Sequence, residues 1–275
     1  MINFKRYGKR CLSLFLAVSM ILMPSVQTFA EEETAAATTD STQTEGEDRE
    51  TQRQKCYAIA PDSNSVENWP QGPATYADSA IVMDMNSGAV LYSKQIEKKH
   101  YPASITKLLT TLVALDNAEL TDTVEFSQDS ISFLEYGDAH IGMTPGEQIS
   151  MEDALYAVLL ASANEVSYAV AESVGKKMGG GYDTFIQAMN DESEKLGCTG
   201  SHWTNANGLH DEQHYTTAHD MARIGAAVYQ KEAFRTISQS LSHTIPVTNL
   251  VNEERTFQQK HKMLWPQNDN YYEYC

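Results

Sequence analysis

The chain has 275 residues, of which 37 are acidic and 20 are lysine or arginine, so its formal net charge is −17. This length suits one large domain or two small ones. The net negative charge argues against a nucleic-acid partner, because nucleic-acid binding depends on basic patches. It also argues against docking on anionic lipid. The sequence contains no glycine-rich phosphate-binding loop.

The first thirty residues have the pattern of a secretory signal peptide. Basic residues within 5–10 precede a short apolar stretch, Cys11–Met23, and Thr28-Phe29-Ala30 supplies small residues suited to cleavage after Ala30. The apolar stretch is too short to span a bilayer comfortably, so we favour a signal peptide over an uncleaved membrane anchor, which is the remaining alternative. We therefore predict an extracytoplasmic protein, secreted or associated with the cell envelope.

Residues 31–73 have the composition of a linker followed by an irregular lead-in. Residues 31–55 are rich in Glu, Thr, Ala, Asp and Gln and contain no aromatic residue. Such a segment buries too little apolar surface to offset its ordering entropy, so we expect a solvated acidic linker. Prolines interrupt the following stretch to residue 73, and we predict that the folded domain occupies 74–275.

Strand and helix signals follow in an order that favours an α+β fold. Residues 80–85 and 89–93 are strand-forming and flank Asn86-Ser87-Gly88, which predicts a β-hairpin. Apolar periodicity and capping residues then predict six helices. Three cover 104–116, 151–160 and 182–196, two end at Gly175 and at Tyr229, and a short one lies near Ala233. A strand is predicted over 242–247. We expect a sheet covered by a helical block.

Ser104 and Lys107 open the first of these helices. Positions three apart lie on the same side of a helix, so the hydroxyl and the ammonium can point into the same space. A serine needs a neighbouring base to act as a nucleophile, and burial can lower the pKa of a lysine until it becomes such a base. A serine near a helix start is more often only a cap, so this spacing does not establish chemistry by itself.

Ser162 and Asn164 form a second polar pair, which lies between two apolar helices. A short polar turn in that position can point into a site. The alternative is that both residues cap the helix that follows, which their residue types favour.

The histidines and cysteines indicate no metal or redox centre. Four histidines lie close together in the sequence without an H-E-x-x-H pattern: His202, His210, His214 and His219. We therefore expect neither a metal nor another cofactor. Cleavage after Ala30 would leave Cys56, Cys198 and Cys275, and an odd, widely spaced set is not a disulfide framework. One bridge with one free thiol stays possible.

The two polar motifs together resemble a known signature, because Ser-x-x-Lys with Ser-x-Asn is typical of penicillin-binding proteins and class A β-lactamases. Further segments carry the same resemblance: Asp84–Tyr92, Pro102–Leu109, Thr204–Leu209 and His214–Ala222. From about Ala80 to Leu264 the chain is similar to the serine-type D-alanyl-D-alanine carboxypeptidases, the low-molecular-weight penicillin-binding proteins of the bacterial envelope. The resemblance implies their α+β fold, an antiparallel sheet with a helical block.

This resemblance also implies roles for four residues. Ser104 would attack the carbonyl between the two D-alanines of a peptidoglycan pentapeptide and become acylated, with Lys107 as the general base. Ser162 would relay a proton toward the leaving D-alanine, and Asn164 would hydrogen-bond Lys107 or the substrate. The Ser104 N–H would supply half of an oxyanion hole, and water would hydrolyse the acyl-enzyme. β-Lactams would act as inhibitors because they imitate the substrate.

One departure from the family concerns the end of the chain. Neither Lys-Thr-Gly nor His-Thr-Gly occurs in the sequence, although the family carries this motif on a strand that binds the substrate's terminal carboxylate and supplies the other oxyanion donor. We expect the chain to be truncated before this motif, so that the catalytic domain lacks its C-terminal strands, is poorly stable and has weak activity. The alternative is a short homologue that binds muropeptides or penicillin without catalysis. A class A β-lactamase is disfavoured, because Ala163 replaces the acidic residue of that family.

Overall fold

The computed structural model describes residues 48–269, 271 and 272. In these residues the helices are α1 (Arg49–Ala58), α2 (Lys107–Asn117), α3 (Asp129–Ser132), α4 (Met151–Tyr156), α5 (Asn164–Lys177), α6 (Tyr182–Lys195), α7 (Ala218–Tyr229) and α8 (Glu232–Ser238). The strands are β1 (Ala80–Met83), β2 (Val90–Lys94), β3 (Thr123–Glu125), β4 (Gln148–Ser150), β5 (Ser242–Ile245) and β6 (Arg255–Gln258). Short 3₁₀ turns cover Asp62–Ser65, Ala103–Thr106 and Lys262–Leu264, and a π-helical turn covers Ala157–Ala161. The predicted signal peptide, and the linker as far as residue 47, lie outside the described residues.

Helix α2 lies in the helical block and contacts α5, α6 and α7. Its buried face carries Leu109, Leu112 and Val113, at the apolar spacing that the sequence indicates. Helix α5 contributes small and β-branched core residues such as Ala169 and Val170, which allow close packing between helices. Because burial of each large side chain contributes about 2 kcal/mol, packing fixes α2 and the residues that open it.

The strands of the described residues form three separate antiparallel pairs, β1–β2, β3–β4 and β5–β6, instead of the single sheet that the sequence predicts. The predicted hairpin is confirmed, because β1 and β2 pair antiparallel. Its turn is held by Gly88 N–H, which donates to Asp84 O at 2.9 Å, and by Ser87 N–H, which donates to the Asp84 carboxylate at 2.8 Å. The pair β3–β4 packs beside α4 and α5, whereas β5–β6 packs on α4 and on the π-helical turn. Helix α4 therefore contacts both of these pairs, whereas α5 contacts β3–β4 and the π-helical turn contacts β5–β6.

The helix predicted over 151–160 is only partly regular. Its N-terminus is confirmed, because Ser150 Oγ accepts the Asp153 N–H at 3.1 Å. The α-helical part ends at Tyr156, and the chain continues as the π-helical turn until Ser162, whose φ of 59° ends the element. The later helices α6, α7 and α8 and strand β5 confirm their predictions.

Residues 49–58 form helix α1, where the composition predicts a linker and irregular sequence. Asp48 accepts the Glu50 N–H at 3.4 Å, and Gln54 donates to the Glu50 carboxylate at 2.7 Å one turn away. Arginine, glutamate, glutamine and lysine all favour helices, and pairs one turn apart stabilise them. No residue of α1 is buried, so this segment is solvated as predicted but is not irregular.

Lys94 joins the lead-in to strand β2. Its ammonium group is fully buried and donates to the carbonyl oxygens of Cys56, Thr75 and Ala77 at 2.6, 2.8 and 2.8 Å. A buried ammonium group is tolerated only with such partners. The packed part of the chain therefore begins before Ala74, the boundary that the sequence indicates.

In the described part of the chain, no helix is long and apolar enough to cross a membrane. Cys56 and Cys198 are free thiols, and Cys275 lies outside the described residues. Burial raises the pKa of the Cys198 thiol to about 11. Because the thiolate is the reactive form, Cys198 is a buried packing residue and not a nucleophile.

Replacing Lys94 by Met should lower the free energy of unfolding by about 3 kcal/mol, because three partly buried carbonyl groups lose their donor. Lys176→Met is the matched control: Lys176 is exposed and pairs with Glu172 at 3.0 Å, and such surface pairs contribute about 0.5 kcal/mol. Urea unfolding followed by circular dichroism measures both variants. An equal loss of unfolding free energy in the two variants would show that the hydrogen bonds of Lys94 do not stabilise the lead-in.

Candidate active site

Ser104 lies in the 3₁₀ turn Ala103–Thr106, and the α-helix begins only at Lys107. The sequence predicts a helix from Ser104 onward, so the predicted start of the helix is wrong by three residues, and the reason is local. Ala103 has a φ of 48°, which a right-handed helix does not allow. The Ser104 hydroxyl belongs to an exposed residue, whereas Lys107 is only 3 % exposed, so an accessible hydroxyl lies beside a buried amine.

Three atoms surround the Lys107 nitrogen. Nζ lies 3.3 Å from Ser104 Oγ, 2.8 Å from Asn164 Oδ1 and 2.6 Å from the carbonyl oxygen of Asn207. A neutral lysine has two N–H donors and one lone pair. Asn164 and Asn207 can accept the two hydrogens, which leaves the lone pair for the Ser104 hydroxyl proton. The geometry therefore suits a lysine that takes a proton from a serine.

The electrostatic environment favours the neutral form of this lysine. Burial, followed by the positive charge of Lys260, lowers the pKa of Lys107 from 10.5 to about 7, against the opposing charges of Glu165 and Asp138. Lys260 is held nearby because its ammonium donates to Ala161 O at 2.9 Å. A lysine with a pKa near 7 is roughly half neutral at physiological pH, compared with less than about one part in a thousand for an ordinary lysine.

Asn207 belongs to a loop, 204–209, whose backbone is held by hydrogen bonds. Asn205 Oδ1 accepts the Gly208 N–H at 2.7 Å. The hydroxyl of Thr110 in α2 donates to the carbonyl oxygen of Ala206 at 2.7 Å. The family resemblance includes this loop, but Asn207 has no predicted role. Residue types could not reveal one, because the atom that binds the lysine is a backbone carbonyl, which every residue has.

Gly208 packs directly on the backbone of the turn that carries the serine. Its φ of 87° is a left-handed value that favours glycine. A Cβ atom at this position would overlap the carbonyl group of Ala103 and lie 3.0 Å from Ser104 N. Both the conformation and the contact therefore require glycine, and the loop helps to fix the position of Ser104.

His214 joins the same loop to the serine turn. Thr204 N–H donates to His214 Nδ1 at 3.0 Å, so the ring proton lies on Nε2, which donates to Thr106 Oγ1 at 2.8 Å. Burial lowers the pKa of His214 to about 4, so the imidazole is neutral at pH 7. This histidine, which the sequence presents only as a weak metal candidate, is a neutral structural bridge.

Asn164 and Ser162 have different surroundings. Asn164 is the first residue of α5, and the helix has no side-chain cap, so the capping alternative is wrong for this pair. Asn164 instead binds Lys107, as the resemblance implies. Ser162 is half-buried in a left-handed conformation, and its side chain makes no hydrogen bond to Ser104, Lys107 or Asn164 among the described residues. The structure thus brings together three of the four predicted site residues.

A cavity of about 370 Å³ opens onto Ser104. The serine turn, the segment 137–139 and the segment 207–210 form its walls, and Asn164 also lines it. Two exposed rings, Tyr101 and His210, pack edge to face beside it with 4.6 Å between their centroids. This volume is in the range of sites that bind small ligands, so the exposed serine faces a space that a small ligand can enter.

A second serine lies close to a histidine but cannot be activated by it. Ser79 Oγ is 2.7 Å from His100 Nε2. The Ser79 hydroxyl donates its one proton to Gln95 O at 2.8 Å. The histidine must then be the donor to Ser79, so it cannot act as the base for this serine.

Among residues 48–269, 271 and 272, no three His, Cys, Asp or Glu side chains form a group that could hold a metal ion. The four clustered histidines of the sequence have separate partners: His202 with Gln213, His210 with Tyr101, His214 with Thr106, and His219 with Glu97.

The family model for D-alanyl-D-alanine carboxypeptidase, peptidase S11, matches residues 66–272. The chain is 32% identical to D-alanyl-D-alanine carboxypeptidase DacF of Bacillus subtilis over 57% of this chain and 40% of DacF. It is 28% identical to DacC of Escherichia coli over 78% of this chain and 53% of DacC. The crystal structure of a D-alanyl-D-alanine carboxypeptidase from Mycobacterium tuberculosis matches with a TM-score of 0.62 at 30% identity, over 75% of this chain and 73% of that chain.

The structural matches show that the chain has the α+β fold of the D-alanyl-D-alanine peptidases. Because the family model covers most of the chain, the chain belongs to the D-alanyl-D-alanine carboxypeptidase family, a family of serine peptidases. The chain spans about half the length of these curated relatives, 40% of one and 53% of the other.

Replacing Gly208 by Ala should lower the rate of Ser104 acylation by penicillin about a hundredfold, because the new methyl group displaces the serine turn and small misplacements are costly in catalysis. Gly88→Ala is the matched control, since Gly88 also has a positive φ, 71°, but open space around it. Stopped-flow acylation, with circular dichroism to verify folding, measures both variants. Normal acylation by a folded Gly208→Ala variant would show that this contact does not position Ser104.

Proposed function

We propose that this chain is a serine D-alanyl-D-alanine carboxypeptidase that removes the terminal D-alanine of peptidoglycan stem peptides outside the cytoplasm. The observation that supports this most directly is the arrangement at Lys107. Its buried nitrogen has two acceptors for its hydrogens and lies 3.3 Å from Ser104 Oγ. The family model and the curated relatives carry the same activity in their names.

In the proposed reaction, Ser104 Oγ attacks the carbonyl carbon between the two D-alanines while the hydroxyl proton passes to Lys107 Nζ. The new O–C bond produces a tetrahedral intermediate, whose oxyanion accepts a hydrogen bond from the Ser104 backbone N–H. The C–N bond then breaks, and the leaving nitrogen takes up the proton. Water hydrolyses the resulting ester, releases the shortened peptide and restores the serine hydroxyl.

Ser162 is proposed to carry the proton from Lys107 to the leaving nitrogen. Two observations support this role. The residue follows the π-helical turn in a left-handed conformation with a φ of 59°, and such strained positions cluster at functional sites. Its hydroxyl makes no hydrogen bond within the described residues, so it is available both to accept and to donate a proton.

The second candidate function is a homologue that binds muropeptides or penicillin without turnover. The observation in its favour is that neither Lys-Thr-Gly nor His-Thr-Gly occurs in the sequence. In the family, that motif supplies the second oxyanion donor and the site for the substrate carboxylate. In a homologue that lacks this donor, turnover should be strongly reduced while the peptide is still recognised, because a single oxyanion-hole donor contributes about 3 kcal/mol to catalysis.

Fluorescent penicillin should label this chain and fail to label Ser104→Ala, because the label is an ester of the Ser104 oxygen. Ser79→Ala is the matched control and should be labelled normally, since Ser79 donates its proton to a backbone carbonyl. Release of D-alanine from a stem pentapeptide, measured in parallel, separates the enzyme from the silent homologue. A version extended through a Lys-Thr-Gly strand should be labelled faster. Labelling that persists in Ser104→Ala would overturn the assignment of the nucleophile.

The rate of acylation should depend on pH through Lys107. The neutral amine is the base, so the rate should rise about tenfold per pH unit below pH 7 and become constant above it. The midpoint should lie near the pKa of about 7 that burial gives this lysine. Lys107→Arg keeps a positive charge but cannot deprotonate, and it should not be acylated. A rate that keeps rising to pH 10 would exclude a lysine base with a lowered pKa.

A further inference from the structure

Glu165 is a buried carboxyl group beside the Ser104 site. It follows Asn164 near the start of α5 and has no exposed surface. Its Oε1 accepts the Ile141 N–H at 2.7 Å, whereas Oε2 is buried and has no hydrogen-bond partner within the described residues. Burial raises the pKa of this carboxyl group. Burial of a carboxyl group is unfavourable for stability, and the contacts of Glu165 with its surroundings indicate what role it has in the site.

The first part of that role concerns the wall of the Ser104 cavity. We call residues 137–143 the wall segment, because its first three residues line the cavity. Two hydrogen bonds join it to α5: Asn164 N–H donates to Ala139 O at 2.8 Å, and Ile141 N–H donates to Glu165. The side chain of Asn164 also binds the proposed general base. The wall segment and the base therefore share one support, the N-terminal end of α5.

The second part of the role is electrostatic. Glu165 and Asp138 carry the negative charges that raise the pKa of Lys107, while Lys260 carries the positive charge that lowers it. His140, on the wall segment, acts on Glu165 and lowers the pKa of its carboxyl group. The charge of Glu165 therefore influences how much of the lysine is neutral at a given pH.

We infer that Glu165 is a positioning residue of the Ser104 site: its carboxyl group fastens the wall segment to α5 beside Asn164, which binds Lys107, and in its ionised form it acts on the charge of Lys107. The inference rests on the proposed function, in which Lys107 is the base. Glu165 does not line the cavity, so it acts through other residues and not by touching the substrate.

Two substitutions separate the two parts of this role. Glu165→Gln removes the charge and keeps an oxygen that can accept the Ile141 N–H, whereas Glu165→Ala removes both. Glu172→Gln is the matched control. Glu172 lies on the same helix, also has a buried Oε2 without a partner among the described residues, and pairs with Lys176. It is not one of the charges that shift the pKa of Lys107.

Two measurements on the full chain test the inference without substrate or penicillin, so they remain valid even if the proposed activity fails. Amide hydrogen exchange at Ile141 should be about tenfold faster in Glu165→Ala, because its acceptor is lost, and unchanged in Glu165→Gln. The NMR titration midpoint of Lys107 should fall by about half a pH unit or more in both variants, since loss of a negative charge disfavours the ammonium form. Glu172→Gln should change neither quantity.

The acylation midpoint measured with penicillin should move in the same direction as the titration of Lys107 in Glu165→Gln. If Glu165→Ala does not fold, the titration midpoint of Lys107 in Glu165→Gln tests the electrostatic part of the role by itself. An unchanged Lys107 midpoint in Glu165→Gln, or unchanged Ile141 exchange in a folded Glu165→Ala, would overturn the inference. Shifted titration with no penicillin labelling of the wild-type chain would instead reject the proposed function and leave Glu165 as a positioning residue.

Discussion

The chemistry of this site depends on the enclosure of one ammonium group. Removal of the charged form of Lys107 from water costs several kcal/mol, and two oxygen acceptors, on Asn164 and Asn207, offset only part of that cost. The proton is therefore held weakly, and the pKa falls to about 7. The same enclosure leaves one lone pair for the hydroxyl of Ser104. Burial that disfavours the charge thus supplies a base close to the serine.

The fold provides this enclosure by bringing three distant parts of the chain together. Packing of α2 against α5, α6 and α7 fixes the start of α2 beside Asn164. The 204–209 loop closes the other side, and it is held there by the contact of Gly208 with the serine turn and by the neutral His214. None of these contacts involves the Ser104 hydroxyl or the Lys107 amine, yet each restricts where these two groups can lie.

Local patterns in the sequence predict a large part of this arrangement. The turn Asn86-Ser87-Gly88 predicts the hairpin, and the three-residue spacing of Ser104 and Lys107 predicts their shared side, because both depend on near neighbours in the chain. The carbonyl of Asn207 and the close approach of Gly208 could not be predicted, because they depend on tertiary packing of a loop a hundred residues away from Lys107. The division of the strands into three separate pairs could not be predicted either, because it also depends on tertiary packing. The relay role of Ser162 stays a prediction.

The most direct test of this account is the titration of Lys107 itself, followed by the NMR chemical shift of its Cε atom in the full chain and assigned by comparison with Lys107→Arg. The account predicts a midpoint near pH 7, within the range where a lysine can serve as a base at neutral pH. A midpoint near the ordinary lysine value of 10.5 would mean that the buried nitrogen keeps its proton. Lys107 would then orient Ser104 without taking its proton, and the proposed mechanism would be wrong.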